Sequence, residues 1–273
     1  LLGAGFIEAD SNATPDEKII AFFGRLNYTI NDAIFLNASL RREGSTKLGS
    51  ENQWGLFPSA GLGVDLENYL NLGADKFKVR LGYGVTGALP GPNGLSQQIR
   101  GFTYASATGG GSSSPSRDAN PDLKWEEKAE TNLGFEWRKG KLDATLDIYT
   151  RDINDFILNR TVDQAIYPTG QRYENAGKLN TKGVELALNY QLTDNYNTGI
   201  VLSTYNTTLE EYVNDAEMRA NLGAPGQNST ATIRVKVGEE IGTIWGPIHE
   251  GVSGGNNVFA DVNGDGTINV GQD

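Results

Sequence analysis

Apolar and polar residues alternate along most of the first two hundred positions, as in β-strands with two unlike faces. From Phe22 to Ile30 every second residue is apolar or glycine, and Arg25, Asn27 and Thr29 share the other face. Asn31-Asp32 is a turn signal, and alternation resumes over Ile34–Leu40. Two alternating runs joined by two turn residues predict a β-hairpin.

Six further runs repeat this pattern, the last of them weakly. They are Trp54–Asp65, Phe77–Thr86, Glu130–Arg138, Leu142–Ile148, Val184–Tyr190 and Thr198–Asn206. The sequence therefore predicts an all-β, antiparallel fold of about eight strands over residues 20–206, followed by an extracellular loop region over 207–273. A transmembrane strand needs only about ten residues with one apolar face, so average hydropathy does not reveal it.

The predicted connections alternate in length. Short ones fall at 31–32, 67–75, 139–141 and 193–197, and long ones at 43–53, 87–124, 154–182 and beyond Thr207. Short turns at one end and long loops at the other are typical of an outer-membrane barrel. The long segments are rich in Gly, Ser, Asn and Pro, which predicts polar, mobile loops.

The two faces of the strands differ in kind. One face carries aliphatic and aromatic residues, with Tyr28, Trp137 and Tyr190 near strand ends. The other face carries charged residues such as Arg80 and Asp147. This arrangement favours lipid against the apolar face. A soluble β-sandwich with one wet face remains the alternative.

Charge and composition exclude several classes of function. The net charge of −11 argues against nucleic acid as a partner, because phosphate binding requires a basic surface. The chain has no Cys, which excludes thiol catalysis and disulfides. It begins at Leu1 without Met and ends at Asp273 within a motif, so we expect a fragment of a longer protein.

Several segments in order resemble the SusC/RagA family of TonB-dependent outer-membrane transporters. They are Leu40–Ser45, Trp54–Ala60, Lys78–Gly87, Asn120–Glu126, Asn180–Leu186, Ile244–Gly246 and Asp261–Gly266. Each motif is weak alone, but their order and spacing span nearly the whole chain.

The resemblance implies a barrel of about 22 strands, of which this chain supplies about eight. It also implies a plug domain, a TonB-interacting segment and further strands, none of which we find in this sequence. A SusD-like surface lipoprotein as cap and the import of oligosaccharides or oligopeptides across the outer membrane of a Gram-negative bacterium follow from the same resemblance.

The segment from Asp261 to Asn269 matches the first half of an EF-hand-like calcium loop. Asp261, Asn263 and Asp265 occupy ligand positions one, three and five, Thr267 offers a carbonyl, and Asn269 offers a side chain or a water contact. Position twelve holds Gln272 where a bidentate acid is expected. An Asx-Gly turn without an ion is the alternative.

The carboxylates Asp143 and Asp147 share one strand face, and Glu126-Glu127 adjoins Trp125. No acid stands among apolar residues that would raise its pKa for acid catalysis. His249 is the only histidine and has no evident partner in sequence. We therefore predict no catalytic residues.

Two aromatic residues in long loops are candidates for stacking on sugar rings, namely Tyr104 and Trp125. The same residues suit an interfacial girdle or packing among loops, and the loop around them suits contact with a capping lipoprotein. Three hypotheses follow: a SusC-like transporter barrel in the lipid bilayer, a calcium-dependent glycan-binding surface protein, and a glycan-cleaving enzyme. We favour the first.

Overall fold

A computed structural model describes residues 16–91, 94–96, 99–105, 110–213, 222–223, 231–244, 246–264 and 266. For 99–105, 110–117, 222–223, 231–232 and 234 it describes the backbone alone. The chain divides into two compact units, Leu1–Tyr205 and Asn206–Asp273.

The first unit is built on one antiparallel sheet of eight strands, as the sequence predicts. They are β1 (Ile19–Ile30), β2 (Ile34–Ser45), β3 (Trp54–Asp65), β4 (Lys76–Ala88), β7 (Glu126–Lys139), β8 (Leu142–Thr161), β9 (Gln171–Thr193) and β10 (Tyr196–Tyr212). Their spatial order follows the chain. The sheet is open, with β1 and β10 at its two edges.

Smaller elements occupy the connections and the second unit. They are helix α1 (Glu67–Leu70) and strands β5 (Ile99–Ala105), β6 (Gly110–Arg117), β11 (Leu222–Gly223), β12 (Ala231–Arg234), β13 (Thr243–Ile244), β14 (His249–Ser253) and β15 (Asn256–Phe259). In the second unit, β11–β13 form a small sheet and β14–β15 a hairpin. Among the described residues, no helix has the length and apolarity to cross a membrane.

The first turn has the predicted form. Asn31 and Asp32 both have positive φ, at 51° and 53°, and the Ala33 amide donates to the Ile30 carbonyl at 3.1 Å. Positive φ at both central positions defines the type I′ turn that matches the twist of a two-stranded ribbon. Asn and Asp tolerate this conformation better than other side chains do.

The prediction of a long loop over 154–182 is wrong. β8 runs 20 residues and β9 runs 23, and they remain paired to Thr161 and Gln171. A register shift at Asp155, where φ is 57°, interrupts the ladder without ending it. Alternation is lost there because the register shift interrupts the period of two, and three apolar residues, Phe156 to Leu158, follow one another directly after it.

Two other predicted loop regions also contain strands. The segment 87–124 holds the β5–β6 hairpin, and the region 207–273 holds β11 to β15. The two ends of the sheet differ less in the length of their connections than expected. The connection 66–75 at the short-turn end is about as long as the connection 46–53 at the other end. We name the side of 46–53, 89–125 and 162–170 the long-loop end.

The register places apolar residues of seven strands in one row. Cross-strand partners run from Tyr28 through Leu36, Leu62, Leu81, Leu133 and Ile148 to Val184. Directly opposed residues in antiparallel strands share a face, so this row lies on one side of the sheet. The adjacent row on the other side is Asn27, Asn37, Gly61, Gly82, Asn132, Tyr149 and Gly183.

Several strand glycines lie beneath a large side chain of the paired strand. A Cβ on Gly44 would be 2.8 Å from the ring of its partner Trp54, and one on Gly183 would be 2.4 Å from the ring of Tyr149. Gly82, by contrast, has no atom within 4 Å of an added Cβ. Most of these glycines therefore accommodate a neighbour, while Gly82 leaves open space.

Candidate functional site: a two-faced sheet and its loop cluster

The apolar face of the sheet is exposed across its whole width. Phe22 is 66% exposed, Leu56 54% and Leu81 50%, although these are the residues that a soluble fold would bury. An apolar patch of this extent on a protein marks contact with another protein or with lipid.

The height of this face suits a bilayer. Apolar residues continue from Trp54 to Val64 on β3 and from Phe77 to Val85 on β4. The eight to ten residue-to-residue steps between these ends, at about 3.3 Å each, span roughly 26–33 Å along a strand. With strands tilted by roughly 40°, the band is roughly 20–25 Å tall, near the value for outer-membrane barrels.

On β8 the same face changes from apolar to polar toward the long-loop end. Leu146 and Ile148 are followed by Thr150 and Asp152. The Asn180 amide group on β9 donates to Asp152 Oδ1 at 2.7 Å and to Thr150 Oγ1 at 3.3 Å. On this face the apolar row of β8 therefore ends near Ile148, and the hairpin continues beyond it to Thr161, with Phe156 buried.

Four charged side chains on the opposite, polar face form a chain of ion pairs across three strands. Lys76 Nζ lies 2.5 Å from Glu136 Oε2, and Arg80 Nη2 lies 3.1 Å from Asp147 Oδ1. Arg80 Nε also lies 2.7 Å from Glu136 Oε1, without hydrogen-bond alignment. All four side chains are partly exposed.

Other charged side chains on the polar face also form ion pairs. Arg151 pairs with Glu130 at 2.8 Å, and Arg138 pairs with Asp143 at 2.7 Å. Lys78 Nζ instead lies 4.1 Å from the centre of the Phe35 ring. Between these groups lies an open concavity of about 520 Å³, whose lining includes Gly61, Gly82, Gly84, Asn37, Asn132 and Lys128.

The carboxylates considered for catalysis are engaged in structural contacts. Asp143 and Asp147 are in the ion pairs described above, and Glu126 Oε2 accepts from the Ile157 amide at 3.0 Å. Partly exposed, paired carboxylates do not have the environment of a general acid. This face offers hydrogen-bond donors and acceptors rather than a reactive group.

A hydrophobic cluster connects two loops, 46–53 and 89–125, with strand β3 at the long-loop end. Its buried members are Leu48, Phe57, Leu95, Leu123 and Trp125. The rings of Phe57 and Trp125 meet edge to face at 5.2 Å, and Trp125 Nε1 donates to the Gln53 carbonyl at 2.9 Å. A Cβ on Gly49 would be 1.6 Å from the Pro121 carbonyl oxygen, so these loops touch at backbone distance.

Buried polar contacts join the second of these loops, 89–125, to the β8–β9 hairpin. Asp118 is 4% exposed, and its Oδ2 accepts from Thr169 N at 2.9 Å and from Thr169 Oγ1 at 2.5 Å. Arg172 donates to the Asn120 side chain at 2.9 Å and to the Ala119 carbonyl at 3.0 Å. Asn120 in turn donates to the Tyr173 carbonyl at 2.8 Å. We name these residues the loop clamp.

Of the two aromatic candidates for sugar stacking, Trp125 is 5% exposed. Its position within the cluster corresponds to loop packing, the alternative left open by the sequence, and it leaves little of the ring for a sugar. Tyr104 lies in β5, paired with Gly111, and is described by its backbone alone. Its role stays a prediction.

The structure reaches only part of the predicted calcium loop. Both oxygens of Asp261 accept backbone hydrogen bonds at 2.7 Å, Oδ1 from Gly264 and Oδ2 from Gly266. Gly264 and Gly266 have φ of 74° and 80°, which glycine adopts without strain. Asn263 is described, whereas Asp265, Thr267 and Asn269 lie outside the described residues. Among those described, no group of three His, Cys, Asp or Glu could hold a metal.

His249 lies in β14 with its ring centre 5.7 Å from that of Phe259, edge to face. It is exposed. This contact is an ordinary cross-strand pair and gives the ring no catalytic partner.

The loop clamp was not predicted from the sequence. Asp118 and Arg172 were not singled out, and Asn120 was noted only as part of the family-like segment Asn120–Glu126, because these residues come together only when segments some fifty residues apart fold onto each other. The one available signal was Asn120-Pro121-Asp122, an Asx-Pro turn motif in which the Asp122 amide donates to Asn120 Oδ1 at 3.1 Å.

Comparisons with known proteins agree with this architecture. The model of a family described as TonB dependent receptor-like, beta-barrel matches residues 3–267. The TonB-dependent receptor SusC of Bacteroides thetaiotaomicron is 29% identical over 93% of this chain and 28% of its own length. The TonB-dependent receptor P39 of Formosa agariphila is 27% identical over 85% of this chain and 22% of its own length.

The solved structure of the RagAB peptide transporter is similar in fold, with a TM-score of 0.75. It is 20% identical in sequence, and the similarity covers 89% of this chain and 27% of the RagAB chain. The chain thus spans between a fifth and a third of the length of these relatives.

Proposed function

The chain belongs to the TonB-dependent receptor-like β-barrel family, and from this membership we propose that it forms part of the wall of an outer-membrane transporter. The proposed transporter resides in the outer membrane of a Gram-negative bacterium and imports oligosaccharides or oligopeptides. Energy reaches it through TonB, and a SusD-like surface lipoprotein caps it, with the long-loop end extracellular.

One observation carries this proposal: the eight-stranded sheet has an exposed apolar face on one side and a face of paired charges on the other. Only closed barrels and helices satisfy every backbone group within a bilayer. An apolar exterior and a polar lumen are the arrangement of a transmembrane barrel. The open edges at β1 and β10 require further strands of the same protein to close it.

The polar face suits passage of a neutral, hydrogen-bonding solute. Its cations Lys76, Arg80 and Arg151 are paired with carboxylates of the same face. These pairs place donors beside acceptors and offset each other's charge, while Lys78 lies over the Phe35 ring and Arg25 is exposed on the same face. Sugars and zwitterionic peptides are polar and carry little net charge, which supports the proposed substrate classes.

The family match favours transport over the two alternatives. A surface glycan-binding protein or a glycan-cleaving enzyme would not need an exposed apolar band roughly 25 Å tall. The predicted calcium loop at Asp261 is compatible with each of the three hypotheses. We propose separately that a bound ion would fix the conformation of this loop in the second unit.

Uptake by cells tests the proposal directly. A strain lacking the full-length receptor, the same strain complemented with it, and a complemented strain lacking TonB are supplied with size-defined oligosaccharides or oligopeptides. We expect uptake only in the complemented strain with TonB. Recovery of the full-length protein in a soluble extract without detergent would contradict membrane insertion, and uptake without the receptor would contradict its role.

A further inference from the structure

Arg42 is a cation on the apolar face of the sheet. Strand alternation places it on the same side as Leu36, Ala38 and Leu40. Its cross-strand partners are Phe22 on β1 and Leu56 on β3, both exposed and apolar. A charge in this position is unfavourable beside lipid tails unless it reaches the interface or an anion.

Trp54 holds the guanidinium in place. Arg42 Cζ lies 5.1 Å from the centre of the Trp54 ring. The indole in turn stacks on Phe22, with ring centres 6.5 Å apart and planes within 17°, and it lies over Gly44. Stacking on an aromatic face leaves the N–H groups at the edge of a guanidinium available to an acceptor.

A second cation, Lys18, lies on the same face two positions before Ile20. The Lys18 carbonyl accepts from the Thr46 amide at 3.1 Å, and the Lys18 amide donates to Thr46 Oγ1 at 2.9 Å, so this segment extends the β1–β2 ladder. Within the described part of the chain, neither Lys18 nor Arg42 has an ion pair with a carboxylate. Both are exposed.

We propose that Arg42, Lys18 and Trp54 bind the phosphate of an anionic membrane lipid in the leaflet at the long-loop end. The inference rests on the proposed function, which places the apolar face in a bilayer. Arg binds phosphate through paired N–H donors, Lys adds a point charge, and an indole favours the headgroup level. Among the described residues no carboxylate pairs with Arg42 or Lys18, and in this proposal the lipid supplies the complementary charge.

Quenching of Trp54 fluorescence tests this site in the full-length receptor. The receptor is reconstituted in phosphatidylcholine vesicles that contain a minor fraction of brominated lipid, either phosphatidylglycerol or phosphatidylcholine. The signal of Trp54 is obtained as the difference from a Trp54→Phe variant. We expect excess quenching by the anionic lipid, and its loss in Arg42→Gln and in the double variant Lys18→Gln/Arg42→Gln.

Arg25→Gln is the matched control, because Arg25 is an exposed cation of β1 on the polar face. It is expected to keep the excess quenching. Equal quenching by the two lipids, or reversal of the excess by inorganic phosphate at constant ionic strength, would overturn the lipid site while leaving the barrel intact. Absence of any lipid quenching at Trp54 would instead contradict the proposed membrane placement.

Discussion

Arg80 of β4 and Asp147 of β8 form an ion pair of 3.1 Å across the strand that separates them. The position between them on β7 is Gly134, the cross-strand partner of both. A Cβ on Gly134 would be 2.7 Å from Arg80 Nη2 and 2.7 Å from Asp147 Oδ1. The ion pair therefore exists because the intervening residue has no side chain.

The change Gly134→Ala is expected to separate this ion pair. Alanine normally improves a strand position by about 0.5–1 kcal/mol over glycine, whereas a partly exposed ion pair is worth about 0–1 kcal/mol. Gly82→Ala, on the same face with open space above it, is the control. We expect the free energy of unfolding of the full-length receptor, measured in detergent solution, to be about 1 kcal/mol lower for Gly134→Ala than for Gly82→Ala. Equal stability of the two would show that Gly134 does not control the pair.

The loop clamp predicts a local rather than global response to Asp118→Ala. The change removes the acceptor of the Thr169 amide and hydroxyl, and an unsatisfied buried donor costs about 1–3 kcal/mol. Thermolysin cuts before large apolar residues, and Ile166 at the hairpin tip is 69% exposed. Cleavage there is expected to rise about tenfold, since about 1.4 kcal/mol is one factor of ten.

The exposed neighbour Asp122 serves as the control for this experiment, because Asp122→Ala removes a carboxylate from the same loop without touching Thr169. Its cleavage rate should match that of the unchanged receptor. If both variants are cut at the same rate, the clamp does not hold the hairpin.

A series of nitroxide labels is expected to locate the membrane boundary on β8. The chain has no Cys, so each introduced thiol is unique in it. Labels at Leu146→Cys and Ile148→Cys should be more accessible to oxygen, which concentrates in lipid, than to a water-soluble nickel complex. Labels at Thr150→Cys and Asp152→Cys should be more accessible to the nickel complex. A label at Asp147→Cys, on the other face, should favour nickel despite its depth. Uniform oxygen accessibility along the series would place the boundary elsewhere.

Calcium binding at the Asp261 loop is expected to be weak, because Gln272 replaces the bidentate acid at position twelve. Calorimetric titration of the chelator-treated full-length receptor should give one site with a Kd of about 10⁻⁴ to 10⁻³ M. Asp261→Ala should abolish the site, and Glu250→Ala, an exposed acid of β14, should not. Loss of heat in neither variant would mean that any calcium is bound elsewhere.

Period-two alternation was sufficient for the eight strands and their two faces because lipid on one side and water on the other impose opposite polarity on successive residues. It was insufficient where that contrast is absent. Beyond the register shift at Asp155 three apolar residues of β8, Phe156 to Leu158, follow one another, and the Gly-Ser stretch of β6 has no apolar face to detect. Strands without a regular apolar face resemble loops in sequence.

The loop cluster was out of reach for a different reason. Trp125 was predicted as a residue of a strand rim or loop, and its burial depends on Leu48 and Leu95, which lie far from it in sequence. Sugar stacking and loop packing require the same kind of side chain, so only the folded arrangement of the two loops and β3 distinguishes them.

The glycines beneath Trp54, Tyr149 and the Arg80–Asp147 pair have a consequence for how this wall can diverge. Each glycine leaves space that a large side chain on a neighbouring strand occupies. A larger residue at the glycine position is therefore tolerated only if the neighbouring side chain becomes smaller. Homologous barrels should therefore change Gly44 with Trp54, and Gly183 with Tyr149, as coupled exchanges. Gly44 and Trp54 lie on the apolar face, whereas Gly183 and Tyr149 lie on the polar face. On the polar face such exchanges would transfer side-chain volume from one strand to the next, so that the lumen changes shape while the number of strands stays the same.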